Sequence, residues 1–245
     1  MSDKILREDF DGWSQLTLNR PDKLNSLDVE MFGLLREHVA DLSASTGIGC
    51  VVLRGAGKCF SAGHDLGGIA EGESPPSKGW HSETLRLIEK LPIPVVAAVH
   101  GHCYTGALEV ALAADFIIAS ETARFGDTHA KFALTPVWGM SVRLPRRVGI
   151  ATAKRLMFTA QMFGAEEAVR IGLAEYAVPE GEFDAEITRL AQQISAHSHF
   201  SHAANKRLLD RADGKAADEA LIREWMEGEG RGPDMHARIA AFQKK

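Results

Sequence analysis

The stretch Cys50-Val51-Val52-Leu53, which leads into a glycine-punctuated loop from Gly55 to Gly68, decides the architecture of this chain. The four residues from Cys50 to Leu53 form a continuous apolar run, which is typical of a strand that is buried on both faces. The loop continues as Phe60-Ser61-Ala62-Gly63-His64-Asp65-Leu66. Its small residues at 61 to 63 let the backbone approach a ligand closely and leave peptide N–H groups unmasked.

A second stretch, from His100-Gly101 through Thr105-Gly106-Ala107 to Glu109, also follows a predicted buried strand. It opens a predicted helix, so the N–H groups near Gly106 lie at the positive end of the helix dipole, with Glu109 in the first turn. Tight turns and a surface carboxylate would explain either stretch alone. Together, two sets of N–H donors and a carboxylate suit polarisation of a carbonyl group beside proton transfer.

Strands and helices alternate in the first half of the chain, whereas the last third is predicted to be almost entirely helical. The predicted strands lie at 5–10, 13–19, 50–53, 95–99 and 116–119, the early helices at 28–44, 81–90 and 105–114, and a mobile loop at 69–78. Later helices are predicted near 139–148, 151–159, 165–171, 181–197, 202–212, 215–228 and 234–242. The alternation predicts an α/β fold, with a core over residues 1–195 and a C-terminal helical region over residues 196–245.

Composition excludes several classes of protein. The 245 residues are 45% hydrophobic, which supports a sizeable core, and 28 basic against 33 acidic residues give no indication of a nucleic-acid partner. No apolar run reaches about 18 residues, so no membrane span is expected, and the N-terminus lacks the apolar run of a signal peptide. Three cysteines without a CxxC pair argue against disulfides and favour the cytoplasm. His197, His199 and His202 lack a neighbouring Cys or carboxylate ligand, so no metal site is expected.

The motifs resemble those of the enoyl-CoA hydratase/isomerase (crotonase) superfamily. Phe60 to Leu66 resembles the oxyanion loop of that family, and His100 to Glu109 with Ala113-Ala114-Asp115 resembles its second motif. Further matches are Asn19-Arg20-Pro21 with Leu24-Asn25-Ser26-Leu27, Phe125-Gly126 with Pro136, Gly139 and Arg143-Leu144, and Gly172-Leu173-Ala174 with Val178. The resemblance implies a crotonase-type core of repeated ββα units and a C-terminal helical region that mediates trimerisation.

The resemblance also implies roles for individual residues. The backbone N–H groups of His64 and Gly106 would form an oxyanion hole, and Glu109 would be the first catalytic glutamate. The position of the family's second catalytic glutamate holds His129, which can hold water or shuttle a proton but supplies no negative charge when neutral. His129 is therefore predicted either to take part in catalysis or to line or cap the pocket, and Asp127 is placed to hydrogen-bond to it.

Five further residues are predicted to contact the substrate, namely Lys23, Ala62, Asp65, Leu66 and Trp138. Trp138 stands where small residues are common in the family and is expected to shorten or reshape the acyl pocket. Lys23 is predicted either to reach a CoA phosphate or to be an ordinary solvated lysine.

The implied function is an enzymatic one, the addition of water across the 2,3 double bond of an acyl-CoA thioester by a carbon–oxygen lyase. No metal or redox cofactor is expected, CoA is part of the substrate, and the expected assembly is a homotrimer or homohexamer. The alternatives are an isomerase or a carbon–carbon bond hydrolase of the same superfamily, or a catalytically silent acyl-CoA-binding protein. The acyl chain and the pathway are left open by the sequence.

Overall fold

A computed structural model describes residues 3–213 of the chain. The strands are β1 (Ile5–Asp9), β2 (Trp13–Leu18), β3 (Cys50–Gly55), β4 (Val95–Val99), β5 (His102–Tyr104), β6 (Phe116–Ser120), β7 (Arg124–Gly126), β8 (Phe163–Gly164) and β9 (Tyr176–Val178). The helices are α1 (Val29–Ala44), α2 (Leu66–Glu71), α3 (Trp80–Glu89), α4 (Gly106–Leu112), α5 (Met140–Val148), α6 (Ile150–Thr159), α7 (Ala165–Arg170), α8 (Phe183–Ser195) and α9 (His199–Ala212). Short 3-10 turns cover Pro21–Lys23, His129–Phe132 and Glu180–Glu182.

Two sheets form the frame of the described residues. The larger has six strands in the order β1-β2-β3-β4-β6-β9, and the smaller has three strands in the order β5-β7-β8. Strands β1 and β2 form an antiparallel hairpin, whereas the neighbours from β2 to β9 in the larger sheet are parallel. The chain thus follows a ββα order more than once, as in β4-β5-α4 and β6-β7-α5. This arrangement confirms the predicted α/β fold.

The central strands are buried on both faces, and their alternate residues enter two separate apolar clusters. Val51 and Leu53 of β3 belong to the larger cluster, which also contains the buried face of α1. Cys50 and Val52 point the other way, into a smaller cluster that includes residues of α8. Because side chains alternate along a strand, a continuous apolar run such as Cys50–Leu53 can supply both clusters at once.

Helix α1 begins at Val29, directly after Asp28, the first residue of the helix predicted over 28–44. The Asp28 side chain accepts a hydrogen bond from the Met31 N–H at 2.9 Å, and this pairs one of the N–H groups that a helix start leaves without a partner. Five residues of α1 with helical spacing are buried, namely Met31, Phe32, Leu35, Val39 and Leu42. The predicted end of this helix at Ala44 is confirmed.

The predictions of a loop over residues 55–68 and of a second loop over residues 69–78 are both partly wrong, because α2 occupies Leu66–Glu71. The Asp65 side chain caps this helix by accepting from the Gly67 N–H at 3.1 Å, and Gly72 ends it with φ at +75°. The poor helix propensity of Gly67 and Gly68 concealed this helix in the sequence. Strands β5, β8 and β9 were also missed, since two or three residues are too few to show an alternating pattern.

Two other predicted helices begin at slightly different residues in the structure. Helix α8 begins at Phe183 after a 3-10 turn, and α9 begins at His199 instead of near residue 202. The helices predicted at 215–228 and 234–242 lie outside the described residues. The predicted domain boundary at 195/196 coincides with the end of α8 at Ser195 and stays a prediction.

The structure bears on two expectations from the composition, which concern disulfides and membrane-spanning helices. All three cysteines are free and buried in the structure. Among the described residues, no helix is both long enough and apolar enough to span a bilayer.

Candidate active site

A cavity of about 650 Å³ is lined by the loop after β3, the start of α4 and the segment from Thr128 to Trp138. Most of the residues that the sequence singled out meet there. The predicted site residues on its wall are Ala62, His64, Leu66, Gly106, Glu109, His129 and Trp138. Residues far apart in the sequence therefore form one site.

The loop that carries His64 is held on both sides by backbone hydrogen bonds. On one side, the Leu27 N–H donates to the Gly63 carbonyl at 2.8 Å and the Asp65 N–H donates to the Leu27 carbonyl at 2.9 Å. On the other side, the Ser61 N–H donates to the His102 carbonyl at 2.9 Å. These bonds fix the backbone around the His64 N–H, which donates to no protein acceptor within residues 3–213.

Gly106 brings a second N–H group to the same place. A Cβ atom on Gly106 would lie 3.2 Å from the His64 nitrogen and 2.5 Å from Cζ3 of Trp138, so no larger residue fits without movement. A Cβ atom on Gly63, which has φ of +106°, would lie 3.5 Å from the Gly106 nitrogen. The Gly106 N–H also donates to no acceptor found in the described part of the chain. Two adjacent N–H groups are thus available to a ligand.

The backbone just before Gly106 has an unusual conformation. Thr105 has φ of +52° and ψ of −109°, which a β-branched residue rarely adopts. Its N–H donates to the Gly126 carbonyl at 2.8 Å, and its Oγ1 atom both lies 2.6 Å from Oγ1 of Thr128 and accepts from the Thr128 N–H at 3.0 Å. These bonds hold the strained turn in place, as is common where backbone strain occurs at functional sites.

Glu109 is buried in α4, with only 1% of its surface exposed. Its Oε1 atom accepts two hydrogen bonds, from the Trp138 N–H at 3.0 Å and the Met140 N–H at 2.9 Å. Burial raises the pKa of the Glu109 carboxyl, and the two N–H donors and His129 only partly offset that effect. The second oxygen, Oε2, is the one that faces His129. A buried carboxylate whose pKa is raised is a stronger base than an exposed one and can accept a proton.

His129 lies opposite Glu109 and is oriented by Asp127. The Asp127 Oδ1 atom lies 2.6 Å from His129 Nδ1 and also accepts from the His129 N–H at 3.2 Å, which confirms the predicted contact. Because a carboxylate only accepts, Nδ1 carries the proton and Nε2 remains for the cavity. His129 Nε2 lies 3.9 Å from Glu109 Oε2. His129 therefore lines the cavity with its free nitrogen directed at the carboxylate.

Trp138 connects the two sides of the site. Its backbone holds Glu109, while its ring packs against the ring of His64 with centroids 4.6 Å apart and against the ring of His81 at 4.9 Å. Trp138 thereby forms part of the cavity wall, and its expected effect on the acyl pocket stays a prediction. The His64 Nε2 atom lies 2.5 Å from the Glu73 Oε1 atom. The burial of His81, together with the neighbouring His64, lowers the pKa of His81 to about 4.

Two predicted substrate contacts lie outside the cavity wall. Asp65 caps α2 and pairs with Arg20, whose Nη1 atom lies 3.0 Å from Asp65 Oδ2, so its side chain is engaged in holding the loop. Lys23 is exposed on the 3-10 turn Pro21–Lys23 and is not among the residues that line the cavity. Its contact with a CoA phosphate stays a prediction.

Sequence reasoning missed three features of this region. Lys131 and Phe132 line the exposed side of the cavity, where nothing in the local pattern marked them. Asn25 is buried with φ of +55°, and its Nδ2 atom donates to the carbonyls of Ala56 and Cys59 at 2.8 Å each. The position of Asn25 inside a family motif was the available signal. No signal in the sequence indicated that Glu73 and His81 lie beside His64, because the spacing of these three residues matches no motif.

Comparison with known proteins identifies the family of this chain. The sequence profile of the enoyl-CoA hydratase/isomerase family matches residues 10–226. The chain is 33% identical over 213 residues to a short-chain-enoyl-CoA hydratase of Clostridium acetobutylicum, covering 85% of this chain and 82% of that protein. It is 31% identical over 223 residues to a crotonyl-CoA hydratase of Syntrophomonas wolfei, covering 89% and 86% of the two chains.

A solved structure shows the same fold. The enoyl-CoA hydratase of Bacillus anthracis superposes with a TM-score of 0.92 at 28% sequence identity, covering 98% of this chain and 96% of that chain. This chain therefore belongs to the enoyl-CoA hydratase/isomerase family and has the crotonase fold. It is an enzyme of that family.

Proposed function

We propose that this enzyme adds water across the 2,3 double bond of an enoyl-CoA thioester. The observation that carries the proposal is the position of Glu109 Oε2 and His129 Nε2, which lie 3.9 Å apart in the cavity wall that also includes His64 and Gly106. The names of the relatives support the same reaction class. CoA enters as part of the substrate, and each proposed step is assigned to groups of the chain itself.

The first part of the proposal concerns the attacking water. Glu109 Oε2 and His129 Nε2 are both acceptors, so a water molecule between them would donate one hydrogen bond to each and turn its lone pair towards the substrate. Two acceptors that share one water lie about 4.4 Å apart, which is near the separation of these atoms. Glu109 would remove a proton as the water oxygen bonds to C3 of the enoyl group.

The second part concerns the charge that develops on the substrate. When the C3–O bond forms, the electron pair of the double bond moves towards the thioester carbonyl and produces an enolate oxygen. The N–H groups of His64 and Gly106 would donate to that oxygen, and removal of one such donor costs about 3–4 kcal/mol in hydrolytic enzymes. The proton held on Glu109 would then pass to C2, so that one water is added with no net release of protons.

A pH–rate profile on crotonyl-CoA tests the assignment of Glu109 as the base. Because burial raises the pKa of Glu109, its base form is lost as the pH falls, and activity should decline at a higher pH than an exposed glutamate would give. Glu109→Gln should lose this limb and lower turnover by roughly 10²–10⁴-fold, with thioester binding retained. Near-normal turnover of Glu109→Gln would exclude the mechanism.

Variants of His129 show whether this residue takes part in catalysis or only lines the cavity. His129→Gln can still accept a hydrogen bond, but an amide oxygen is a weaker base than an imidazole oriented by Asp127 and shares less of the positive charge that develops on the attacking water, so turnover should fall while thioester binding remains. His129→Glu restores the pair of carboxylates that is usual in the family and should retain hydration, unless repulsion from Asp127 prevents it. Unchanged turnover in His129→Gln would show that His129 only lines the pocket. A product with a shifted double bond and no added water would identify an isomerase instead.

A further inference from the structure

The side chains of His64, Glu73 and His81 form a compact cluster beside the cavity. One nitrogen or oxygen of each residue lies within 4.8 Å of the others. Glu73 Oε1 is the central atom, at 2.5 Å from His64 Nε2 and 3.9 Å from His81 Nε2. The exposed fractions of the three side chains are 21%, 16% and 9%, so the cluster is largely shielded from solvent.

His81 provides an independent reason to expect a ligand. It is 93% buried, and its Nε2 atom is fully enclosed without a hydrogen-bond partner among the described residues. A buried polar atom of this kind is costly, and such atoms are normally paired with protein, water or an ion. The ring itself is fixed, because Trp138 stacks on it at 4.9 Å and Phe32 meets it edge-on at 4.5 Å. The unpaired nitrogen therefore has a defined direction, towards Glu73 and His64.

The donor set selects a class of ion. Two imidazole nitrogens and a carboxylate oxygen suit Zn²⁺ and its first-row neighbours, whereas Ca²⁺ and Mg²⁺ require mostly oxygen ligands. Zinc sites with two histidines, one glutamate and an open position are an established type.

The distances also fit such an ion. With metal–ligand distances of about 2.0–2.2 Å, tetrahedral ligand atoms lie about 3.3 Å apart, so no pair in the cluster has to move by more than about 1.5 Å. His64 and Glu73 would separate slightly, and His81 would approach.

We propose that His64, Glu73 and His81 bind a first-row transition-metal dication, for which Zn²⁺ is the probe. The ion would join the residue before the cap of α2, the residue just after its C-terminal Gly72, and the first turn of α3. No step of the proposed hydration is assigned to the metal, so binding can be tested without any assay of activity.

The first test is calorimetric titration of the EDTA-treated full-length protein with ZnCl₂. The wild type should bind one Zn²⁺ with micromolar or better affinity. Both His81→Gln and Glu73→Gln should weaken this affinity by more than roughly 100-fold. Loss of a residue that only supports a metal ligand already lowers metal affinity by about 10–100-fold, and these two residues are proposed ligands. His197→Gln, which removes an exposed histidine outside the cluster, is the matched control and should retain the wild-type affinity. Loss of binding in the control but not in the cluster variants would overturn the proposal.

The second test does not depend on whether the variants fold. Crystals of the wild-type protein soaked with ZnCl₂ should show an anomalous difference peak at the zinc edge within about 2.2 Å of His64, Glu73 and His81. A peak elsewhere only, or no peak together with no calorimetric binding, would show that the cluster is a hydrogen-bonded group whose free nitrogen is satisfied by water.

Discussion

The burial of Glu109 raises its pKa and also lowers the stability of the fold at neutral pH. A carboxylate with only 1% of its surface exposed loses most of its hydration, and two N–H donors replace only part of it. Because the folded-state pKa is raised, the protonated form favours folding, and the ionised form present at higher pH opposes it. At Glu109 the proposed function and the stability of the fold therefore conflict.

Replacement of this carboxyl by a neutral amide separates the two effects. Glu109→Gln keeps the oxygen that accepts from Trp138 and Met140 but removes the buried charge, so we expect a free energy of unfolding at pH 7 at least equal to that of the wild type. Urea denaturation of both proteins gives the comparison. A loss of more than about 1 kcal/mol would mean that the charge itself stabilises the site.

Gly106 is required at its position by packing. In Gly106→Ala the added methyl group meets the Trp138 ring at 2.5 Å, and that ring is confined by His64 and His81. We expect a loss of about 1–3 kcal/mol in stability from overpacking, and lower turnover as the two N–H groups are pushed apart. Thermal unfolding and crotonyl-CoA turnover measure these effects.

The matched control for that variant is Gly33→Ala in the middle of α1. A Cβ atom at Gly33 meets nothing within 4 Å, so alanine should stabilise the helix by about 0.5–1 kcal/mol and leave turnover unchanged. If both alanine variants lose stability equally, the packing argument for Gly106 is wrong.

The candidate residues of the site could be predicted from the sequence, but most of their hydrogen-bond partners could not. Glu109 and His129 were singled out from motifs, and the contact between Asp127 and His129 was expected because the two are close in sequence. The bonds from Trp138 and Met140 to Glu109 join residues about thirty positions apart and depend on where the turn before α5 is placed. No local pattern encodes such a distance. The same holds for the approach of Glu73 to His64.

Among the elements, the loop between β3 and α2 depends on Asn25 for its position. The Asn25 side chain donates to two carbonyls of that loop and accepts from the Arg20 N–H at 2.9 Å. The Ala62 N–H donates to the Leu24 carbonyl at 2.9 Å, which links the same turn to the residues before His64. The N-terminal motif thereby acts on the site through the backbone it supports.

Asn25→Asp tests this support with little change in shape. The variant loses both donors and places a carboxylate beside the carbonyls of Ala56 and Cys59, so we expect a loss of about 3 kcal/mol in stability and reduced turnover. Asn19→Asp is the control, because Asn19 is less enclosed and donates one bond, to the Asp3 carbonyl at 2.7 Å. Denaturation curves that move equally for both variants would contradict the role given to Asn25.

Element length explains which elements could be predicted. Strands β3, β4 and β6 are buried runs of five or six residues, long enough for their apolar character to stand out. Strands β5 and β9 have three residues each, and α2 contains two glycines, so their local signals are weak. These short elements form because the larger sheet and its loops position them.

For the whole molecule, the fold and the family are clear, whereas the assembly rests on prediction. The expected trimer or hexamer would use the C-terminal helical region, of which residues 214–245 lie outside the described residues. Large apolar side chains are nevertheless exposed on α6, with Phe158 at 75% and Ile150 at 63%. Such positions are consistent with a surface that a second copy would cover.

The proposed hydration is tested most directly by locating the oxygen-18 label in the product when the full-length enzyme acts on crotonyl-CoA in water enriched in oxygen-18. Mass spectrometry should find a 3-hydroxyacyl-CoA that carries one heavy oxygen on C3, with the thioester intact, and Glu109→Gln should form it far more slowly. A shifted double bond without label, a labelled free acid, or unchanged crotonyl-CoA after binding would each contradict hydration by Glu109 and His129.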